Sequence, residues 1–227
     1  MGILYIVATP IGNLEDITIR AIKTLLRANV ILCEDTRRSG NLLSELRKRY
    51  PEFDSGRLPK LMPYYDEIES KVLPEVVGIL ETQDVVLVSD AGTPLISDPG
   101  FRLVRECTRR GIKVVSIPGP SAVLTALTSS GLPTDKFIFL GYPPEKQTAR
   151  TEAFKEVPKG ITTIFYCAPH KLAQTLEDMK NSFGDMDITI VRELTKIHEE
   201  MWRGTISQAL SFFSNPQGEF VLLLNLR

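Results

Sequence analysis

The chain has 227 residues, of which 43% are hydrophobic, enough to bury the core of one large or two small domains and too many for a disordered chain. Its 27 basic and 28 acidic residues give a formal net charge of −1, which excludes the strong positive field that draws some proteins to nucleic acid or anionic membranes. The three cysteines, Cys33, Cys107 and Cys167, are widely spaced and odd in number, which predicts reduced, buried thiols.

Apolar runs of strand length recur along the whole chain, at residues 3–8, 29–33, 85–89, 113–117, 137–140, 161–167, 187–191 and 219–226. Amphipathic stretches separate many of them, and this alternation predicts an α/β protein with mainly parallel strands. The first run follows Gly2 with no basic segment or long apolar stretch before it. We therefore expect no signal peptide, no membrane span and a cytoplasmic location.

The first strand leads into a loop at residues 8–14, where a phosphate-binding loop would lie in a nucleotide-binding protein. It has neither Gly-x-Gly-x-x-Gly nor Gly-Lys-Ser/Thr, so the sequence does not support nucleotide binding by those devices. We take Pro10, Gly12 and Asn13 as candidate substrate contacts. The helix that follows is predicted to be capped by Asp16 and to bury an apolar face.

A charged loop follows the second strand, where Glu34 and Asp35 stand beside Arg37 and Arg38. Acids at the carboxyl end of a strand suit a catalytic site, and arginines suit phosphate recognition. A second interpretation stays open, in which Asp35 or Thr36 caps a helix and the charges form ordinary surface ion pairs.

Residues 37–60 carry seven bases against three acids. The bases are Arg37, Arg38, Arg47, Lys48, Arg49, Arg57 and Lys60. Such a run is typical of a solvated helix face, and it is also the place where a nearly neutral chain could hold a phosphate locally. After a short strand we expect a helix from Asp66 to Leu80, with a kink or a late start because Pro74 falls inside it.

The strand at residues 85–89 breaks into a loop at residues 89–100 that is rich in Gly, Pro and Asp. Small-molecule sites are built at the carboxyl ends of parallel strands, where glycines let backbone approach a ligand. Its short polar side chains are those of Asp90, Thr93, Ser97 and Asp98. A simpler interpretation is a tight turn followed by Asp98 as a helix cap with Pro99 in the first helical position, although the loop exceeds the roughly 2–6 residues that a simple connection needs.

Two prolines and a glycine interrupt the pattern at residues 117–120, and we place a boundary there between domains 1–118 and 119–227. Just beyond it, Ser121 lies near the first turn of a predicted helix, where free N–H groups favour an anion. The first domain is predicted to hold a doubly wound, mostly parallel sheet. The second is predicted to hold a mixed sheet, since only one helical stretch, residues 205–213, separates its last strands.

The last charged loop, residues 192–200, contains His198 beside two glutamates. In a strand neighbouring side chains point to opposite faces, so we expect no metal site here. The other histidine, His170, follows Pro169 at a predicted helix start. Neither histidine accompanies a Gly-x-Ser-x-Gly motif, so the sequence does not favour a covalent hydrolase.

Six blocks carry a resemblance that runs from end to end and in order. They are Thr9-Pro10-Ile11-Gly12-Asn13-Leu14 with Asp16-Ile17-Thr18, Glu34-Asp35-Thr36-Arg37, Val88-Ser89-Asp90-Ala91-Gly92-Thr93-Pro94 with Ile96-Ser97-Asp98-Pro99-Gly100, Ile117-Pro118-Gly119-Pro120-Ser121-Ala122, Ser130-Gly131-Leu132-Pro133-Thr134-Asp135, and Arg192-Glu193-Leu194-Thr195-Lys196 with His198-Glu199-Glu200. In these blocks the chain resembles the bacterial ribosomal RNA ribose 2′-O-methyltransferases of the tetrapyrrole methylase superfamily.

The resemblance implies two α/β domains with S-adenosylmethionine in the cleft between them, usually in a homodimer. The substrate it implies is a cytidine of small-subunit ribosomal RNA, either as free RNA or in the assembled small subunit. By the family pattern, the residues that would line one side of the methyl donor are Ala91, Gly92, Thr93, Pro94 and Ile96, with Ser121 and Ala122 nearby. Those that would close the site from the second domain are Tyr166, Cys167, Leu194, Gly204, Thr205 and Ile206. Asp90 and Ser97 are added as polar candidates from the same loop.

A ribose hydroxyl attacks a methyl group only when its proton is accepted, so the reaction needs a carboxylate within hydrogen-bond reach. We take Asp35 and Glu34 as the candidate bases, and Thr36, Arg37 and Arg38 as candidate substrate contacts that include the phosphates. The residues that would extend this phosphate track are Arg47, Lys48 and Arg49.

One segment departs from the family pattern, since residues 62–67 read Met-Pro-Tyr-Tyr-Asp-Glu where family members carry a His-containing segment. Two other functions stay open from the sequence. One is methylation of a corrinoid or other tetrapyrrole precursor, or of a protein residue. The other is a non-catalytic cofactor-binding module that acts through partners.

Overall fold

The computed structural model describes residues 1–226, and the chain divides into two compact units, one ending at Ser121 and the other beginning at Ala122. We call them unit 1 and unit 2. Each contains its own five-stranded sheet. The domain boundary predicted at residue 118 lies close to this division.

Unit 1 alternates strands and helices along the chain. They are β1 (Ile3–Val7), α1 (Ile19–Arg27), β2 (Val30–Cys33), α2 (Thr36–Arg49), β3 (Lys60–Pro63), α3 (Asp66–Leu80), β4 (Val85–Leu87), α4 (Phe101–Arg109) and β5 (Lys113–Ile117). The strand order is β3-β2-β4-β1-β5, and all neighbours are parallel. This confirms the predicted parallel sheet.

The sheet of unit 1 is covered on both faces, because successive side chains of a strand point to opposite sides. Leu4 and Ile6 of β1 pack with residues of α3 and α4, whereas Val7 packs with residues of α1 and α2. Burial on both faces explains why β2 and β4 read as uninterrupted apolar runs. It also shows that the sheet is doubly wound, as predicted.

The start of α1 differs from the prediction. Asp16 lies in a 3₁₀ turn, and the helix cap is Thr18, whose side-chain oxygen accepts a hydrogen bond from the Ala21 N–H at 3.2 Å. The prediction of Asp16 as the cap was wrong because Ile17, between the two, is buried in extended backbone and delays the helix. By contrast, α3 begins at Asp66 and runs through Pro74, so the late start considered above does not occur.

Unit 2 contains α5 (Ala122–Ser130), β6 (Phe137–Phe139), α6 (Gln147–Lys155), β7 (Thr162–Cys167), α7 (Leu172–Phe183), β8 (Asp187–Arg192), β9 (Glu200–Thr205), α8 (Ile206–Phe212) and β10 (Phe220–Asn225). The strand order is β6-β7-β10-β8-β9. Only β6 and β7 are parallel, and the other neighbours are antiparallel. The predicted mixed sheet is confirmed.

A buried ion pair joins α6 to α7 inside unit 2. Arg150 is 1% exposed and Asp178 is 3% exposed, and the Arg150 Nε donates to Asp178 Oδ2 at 2.8 Å. The Arg150 Nη1 also donates to the carbonyls of Pro144 and Glu145, each at 2.9 Å, and Gln147 Nε2 donates to Asp178 Oδ1 at 2.9 Å. The charges are therefore well satisfied although water is excluded.

The three cysteines are free and buried, as predicted. Burial raises the pKa of Cys107 and of Cys167 to about 11, so both thiols stay protonated near neutral pH. Across residues 1–226, none of the helices has both the length and the apolar character that crossing a membrane requires.

Candidate active site

Four loops of unit 1 come together at one edge of its sheet. They follow β1, β2, β4 and β5 and contain residues 8–13, 34–35, 88–100 and 118–121. The four strands are neighbours in the sheet and run parallel, so their carboxyl ends lie side by side. The structure therefore brings together the loops that the first half of the sequence singled out.

The loops after β1, β4 and β5 are tied by hydrogen bonds. Thr9 N–H donates to the Gly92 carbonyl at 2.8 Å, and Gly92 N–H donates to the Thr9 carbonyl at 3.1 Å. Gly92 has a φ of +85°, and a Cβ there would lie 3.3 Å from the Ile11 side chain, so glycine suits both the conformation and the space. The Thr93 hydroxyl donates to the Pro120 carbonyl at 2.9 Å and fixes the loop after β5.

Asp90 joins the loop after β4 to the loop after β2. Its N–H donates to Glu34 Oε1 at 3.2 Å, and its Oδ1 accepts from the Asp35 N–H at 3.1 Å. Its Oδ2 lies 3.1 Å from Arg38 Nη1. Both carboxylate oxygens of Asp90 are thus engaged by the chain itself, which makes Asp90 a connection between the loops.

Glu34 and Asp98 have carboxyl groups that hold a proton more tightly than usual. Burial is the main cause that raises the pKa of Asp98 to about 7, and the Glu34 carboxylate adds to it, while the Ser89 hydroxyl acts in the opposite direction. Burial also raises the pKa of Glu34, and the carboxylates of Asp90 and Asp66 add to that rise. An acid with a pKa near 7 can accept a proton at neutral pH, which is what a general base must do.

The loop after β4 contains strained backbone. Leu95 and Ser97 have φ values of +73° and +67°, in the left-handed region that residues with a Cβ rarely adopt. Gly100 has a φ of +126°, and a Cβ there would lie 2.6 Å from the Leu87 side chain. Strain of this kind persists only where the surroundings fix it, and it clusters at ligand and catalytic sites.

The simpler interpretation of this loop was wrong. The helix α4 begins at Phe101 and its cap is Gly100, which makes no side-chain cap. Asp98 therefore does not cap a helix, and Pro99 is not its first residue. The carboxyl group of Asp98 lies instead among Ser89, Glu34 and Asp90.

A buried network holds the far end of the loop. The Tyr64 hydroxyl donates to Glu69 Oε1 at 3.0 Å, and the Gly100 N–H donates to the same oxygen at 3.2 Å. Glu69 is only 4% exposed, and Tyr64 is completely buried. Tyr64 belongs to the segment at residues 62–67 that departs from the family pattern. Through Glu69, Tyr64 helps to hold Gly100 at the end of the loop after β4.

Asp35 caps α2, which confirms the helix cap of the second interpretation. Its Oδ1 accepts from the backbone N–H groups of Arg37 at 2.7 Å and Arg38 at 3.4 Å. Thr36 is the first residue of the helix. Asp35 thereby fixes the orientation in which α2 leaves the site.

A cavity of about 180 Å³ opens beside Asp90. It is lined by Thr9, Pro10, Gly12, Leu14, Arg38, Ser39, Leu42, Ser89 and Asp90. Three of the predicted substrate contacts therefore line the same cavity. Asn13 is used locally, because its side-chain oxygen accepts the Glu15 N–H at 3.0 Å.

The residues of unit 2 that are predicted to contact the methyl donor differ in whether their side chains are accessible. Cys167 and Ile206 point into the hydrophobic core, so only their backbone could touch a ligand. The Thr205 side chain caps α8 by accepting the Gln208 N–H. Tyr166, on β7, is partly exposed. At Gly204 there is no room for a side chain, because a Cβ would clash with the Trp202 ring.

The loop before β9 is charged and contains two residues in left-handed backbone. Glu193 and Thr195 have φ values of +51° and +62°. Lys196 Nζ lies 3.0 Å from Glu193 Oε1 and 3.0 Å from Glu219 Oε2, which holds this backbone in place. His198 is exposed here, and no group of residues in the described part of the chain has the arrangement of a metal site.

Sequence reasoning missed the part of Asp98 as a possible base and the support from Tyr64 and Glu69. Asp98 was identified only as a short polar side chain of the loop. The sequence offered no signal against the cap, because Asp98 followed by Pro99 is a usual helix start. Nothing in the sequence indicated that Glu69 reaches Gly100.

Comparisons with known proteins identify the family of the chain. Residues 3–210 match the family described as Tetrapyrrole (Corrin/Porphyrin) Methylases. The ribosomal RNA small subunit methyltransferase I of Thermotoga maritima is 43% identical over 228 residues, which cover 99% of each chain. The protein of the same name from Mesorhizobium japonicum is 46% identical and covers 96% of this chain and 74% of its own.

Among solved structures, the uroporphyrin-III C-methyl transferase from Thermus thermophilus, complexed with S-adenyl homocysteine, superposes with a TM-score of 0.65. Its sequence identity is 17%, and the match covers 98% of this chain and 97% of that one. This likeness confirms the predicted fold. The chain therefore belongs to the family of tetrapyrrole (corrin/porphyrin) methylases, in which the ribosomal RNA small subunit methyltransferases I are its near relatives.

Proposed function

We propose that the chain is an S-adenosylmethionine-dependent methyltransferase that methylates the ribose 2′-oxygen of a cytidine in small-subunit ribosomal RNA. The observation that carries this proposal is the identity of 43% over 99% of both chains with a ribosomal RNA small subunit methyltransferase I. The carboxylates at the sheet edge of unit 1 add the chemistry that activation of a hydroxyl requires. A cytoplasmic location and a homodimer belong to the same proposal, and light scattering of the purified chain tests the dimer.

The loop after β4 fits the methyl donor. Ala91 and Ser97 are exposed and Ile96 is 41% exposed, so apolar and short polar groups are available on a backbone that is already fixed. Gly92 and Pro94 shape the loop, and Ser121 and Ala122 stand at the start of α5. When bound, the donor supplies a sulfonium methyl group that is open to displacement by an oxygen.

The residues that we propose to hold the donor are Asp90, Ala91, Gly92, Thr93, Pro94, Ile96, Ser97 and Ser121 in unit 1. The candidates in unit 2 are Ala122, Tyr166, Cys167, Leu194, Gly204, Thr205 and Ile206, with Cys167 and Ile206 acting through their backbone.

For the proton of the ribose hydroxyl, we propose Asp98 as the acceptor and Glu34 as its partner. Burial raises the pKa of both carboxyl groups, and the Glu34 carboxylate further raises the pKa of Asp98. Asp35 remains close to them, but its Oδ1 already accepts two backbone N–H groups of α2. We therefore propose that Asp35 positions α2 and its arginines.

For the RNA, we propose Arg37 and Arg38 as contacts to phosphates near the reacting ribose. Both are exposed at the first turn of α2, and Arg38 borders the cavity beside Asp90. The track beyond them is weaker than the sequence suggested, because Lys48 and Arg49 pair with Glu45 at 3.6 and 3.1 Å, and Arg47 pairs with Asp54 at 3.4 Å.

We expect the purified chain to transfer a labelled methyl group from S-adenosylmethionine to small-subunit RNA or to the small ribosomal subunit. Mass mapping of the product should place the label on the ribose of a cytidine. A parallel reaction with a uroporphyrinoid is expected to yield no product. Methylation of the porphyrinoid, or donor binding without any methylated RNA, would instead support one of the two alternative functions.

Asp35→Asn is expected to lower the turnover less than about tenfold, since asparagine caps a helix about as well as aspartate does. Asp35→Ala removes the cap and is expected to cost about 1 kcal/mol of stability. Single-turnover rates at saturating donor and RNA, with urea unfolding of both variants, measure these effects. A rate loss of about a hundredfold or more in Asp35→Asn would make Asp35 the base.

A further inference from the structure

A second cationic site lies in unit 1 along α1, and none of its lining residues belongs to the four loops of the candidate active site. It is a groove of about 520 Å³ bordered by α1 and by Asn29 and Asp84, which precede β2 and β4. It runs from Arg20, at the start of α1, to Asn29 and Asp84, which lie at the amino ends of their strands. Its lining is therefore distinct from the loops that carry the proposed chemistry.

Three basic side chains of α1, Arg20, Lys23 and Arg27, line this groove. Their spacing places them on one face of the helix, over about 10 Å at 1.5 Å per residue. Among residues 1–226 none of the three lies within 4.0 Å of a carboxylate in an ion pair, in contrast to Arg47, Lys48 and Arg49 of α2.

Two of these cations are held in position by neutral groups. Arg20 Nη2 donates to the Ser116 carbonyl at 3.4 Å, and Lys23 Nζ lies 4.7 Å from the centre of the Phe53 ring. The acid in the groove, Asp84, already accepts the Ile3 N–H at 2.8 Å. The groove therefore presents three cations against one carboxylate, and none of the three is in an ion pair with it.

We propose that this groove binds the phosphodiester backbone of the RNA substrate, at a distance from the reacting nucleotide. The proposal rests on the proposed function, which makes RNA the substrate. Three cations spread along a helix fit a chain of phosphates better than one small anion. A second contact of this kind also explains how a chain with a net charge of −1 holds a polyanion, since phosphate contacts act locally and supply most of the affinity.

The test is the triple variant Arg20→Gln, Lys23→Gln, Arg27→Gln, titrated with fluorescently labelled small-subunit RNA at several salt concentrations. We expect the triple variant to bind RNA more weakly. The slope of the logarithm of the binding constant against the logarithm of the salt concentration should be less steep by about 2, since each contact to a single-stranded phosphate contributes roughly 0.7 to it. Arg27→Gln alone is expected to change this slope by about 0.7 and leaves the other two side chains in place.

The matched control is Lys71→Gln, Arg105→Gln, Lys180→Gln, which removes the same charge from exposed positions outside the groove. It is expected to bind RNA like the original chain. If the groove variant keeps the original affinity and slope, or if the control weakens binding equally, the proposal is wrong. Displacement of the RNA by inorganic phosphate at constant ionic strength would assign the groove to a free phosphate and also overturn it.

Methyl transfer measured on the same samples separates this proposal from the proposed function. At saturating RNA the groove variant is expected to keep kcat, while KM for RNA rises. If the original chain methylates RNA and the groove variant binds it unchanged, only the groove assignment fails. If the original chain binds RNA through the groove and transfers no methyl group, the proposed function fails and the groove assignment stands.

Discussion

Asp98→Asn is expected to lower the rate of methyl transfer by about 10² to 10⁴-fold, because a general base contributes about that much and asparagine cannot accept the proton. Binding of donor and RNA should stay unchanged, since the substitution keeps the shape of the side chain. Single-turnover rates at saturating donor and RNA measure the effect. For the original chain the rate should rise about tenfold per pH unit up to the pKa of Asp98, about 7, and then level off.

Glu34→Gln is the control for this experiment. The Glu34 carboxylate raises the pKa of Asp98, so in Glu34→Gln the rate should reach its plateau at a lower pH. The plateau rate of this variant should stay within about tenfold of that of the original chain. If Glu34→Gln abolishes the reaction and Asp98→Asn does not, the base is Glu34. A rate of Asp98→Asn equal to that of the original chain at every pH would contradict the role of Asp98.

Asp98→Asn also has a readout that does not depend on catalysis. In the folded chain the pKa of Asp98 is about 7, above its ordinary value of 3.8, so between these two pH values the unfolded chain releases this proton first. The contribution of Asp98 to stability is therefore fully present below about pH 4 and is lost as pH rises toward 7. The Tm of Asp98→Asn relative to the original chain should rise over the same interval.

Asp178→Ala is expected to lower the free energy of unfolding of unit 2 by about 3–5 kcal/mol, because it leaves the buried guanidinium of Arg150 without its counter-charge. Arg150 is 1% exposed and its Nε is 2.8 Å from Asp178 Oδ2, so water cannot replace the lost carboxylate. Denaturant unfolding followed by circular dichroism measures the change.

Glu152→Ala provides the matched control, since it breaks an exposed ion pair to Lys155 in the same helix, with a distance of 2.7 Å. Such pairs contribute about 0–1 kcal/mol, so little change is expected. The double variant Arg150→Met, Asp178→Leu should recover much of the stability that Asp178→Ala loses, because no unpaired charge remains. Equal losses in Asp178→Ala and Glu152→Ala would contradict this account of the buried pair.

The alternation of elements could be predicted from sequence because the central strands β2 and β4 are buried on both faces and therefore read as apolar runs. The convergence of Glu34, Asp90 and Asp98 could be predicted only in part. Their loops follow strands, but the neighbouring positions of β2 and β4 in the sheet depend on packing between distant segments. The cap of α1 was misplaced because Asp16 and Thr18 have similar local preferences, and the burial of Ile17 decides between them.

Other features of the site have no signal in a single sequence. Leu95 and Ser97 adopt left-handed backbone that their residue types disfavour, and the contacts that impose it come from other segments. The neutralisation of the basic strip in α2 also depends on rotamers and on Asp54, which lies beyond the helix. Counting charges along the chain predicted a phosphate track there, whereas three of its cations are paired and the three cations of α1, Arg20, Lys23 and Arg27, are in no ion pair among residues 1–226.

The strained loop after β4 affects how a small molecule is captured. Folding has already set Leu95 and Ser97 in their unusual conformation and has fastened Gly100 to Glu69. A ligand that binds there does not have to order the loop. The entropy of binding therefore depends on the motion that the ligand loses and on the water that is released. A site that is ordered before binding can hold a ligand that makes few contacts, because little of the free energy of binding is spent on ordering the protein.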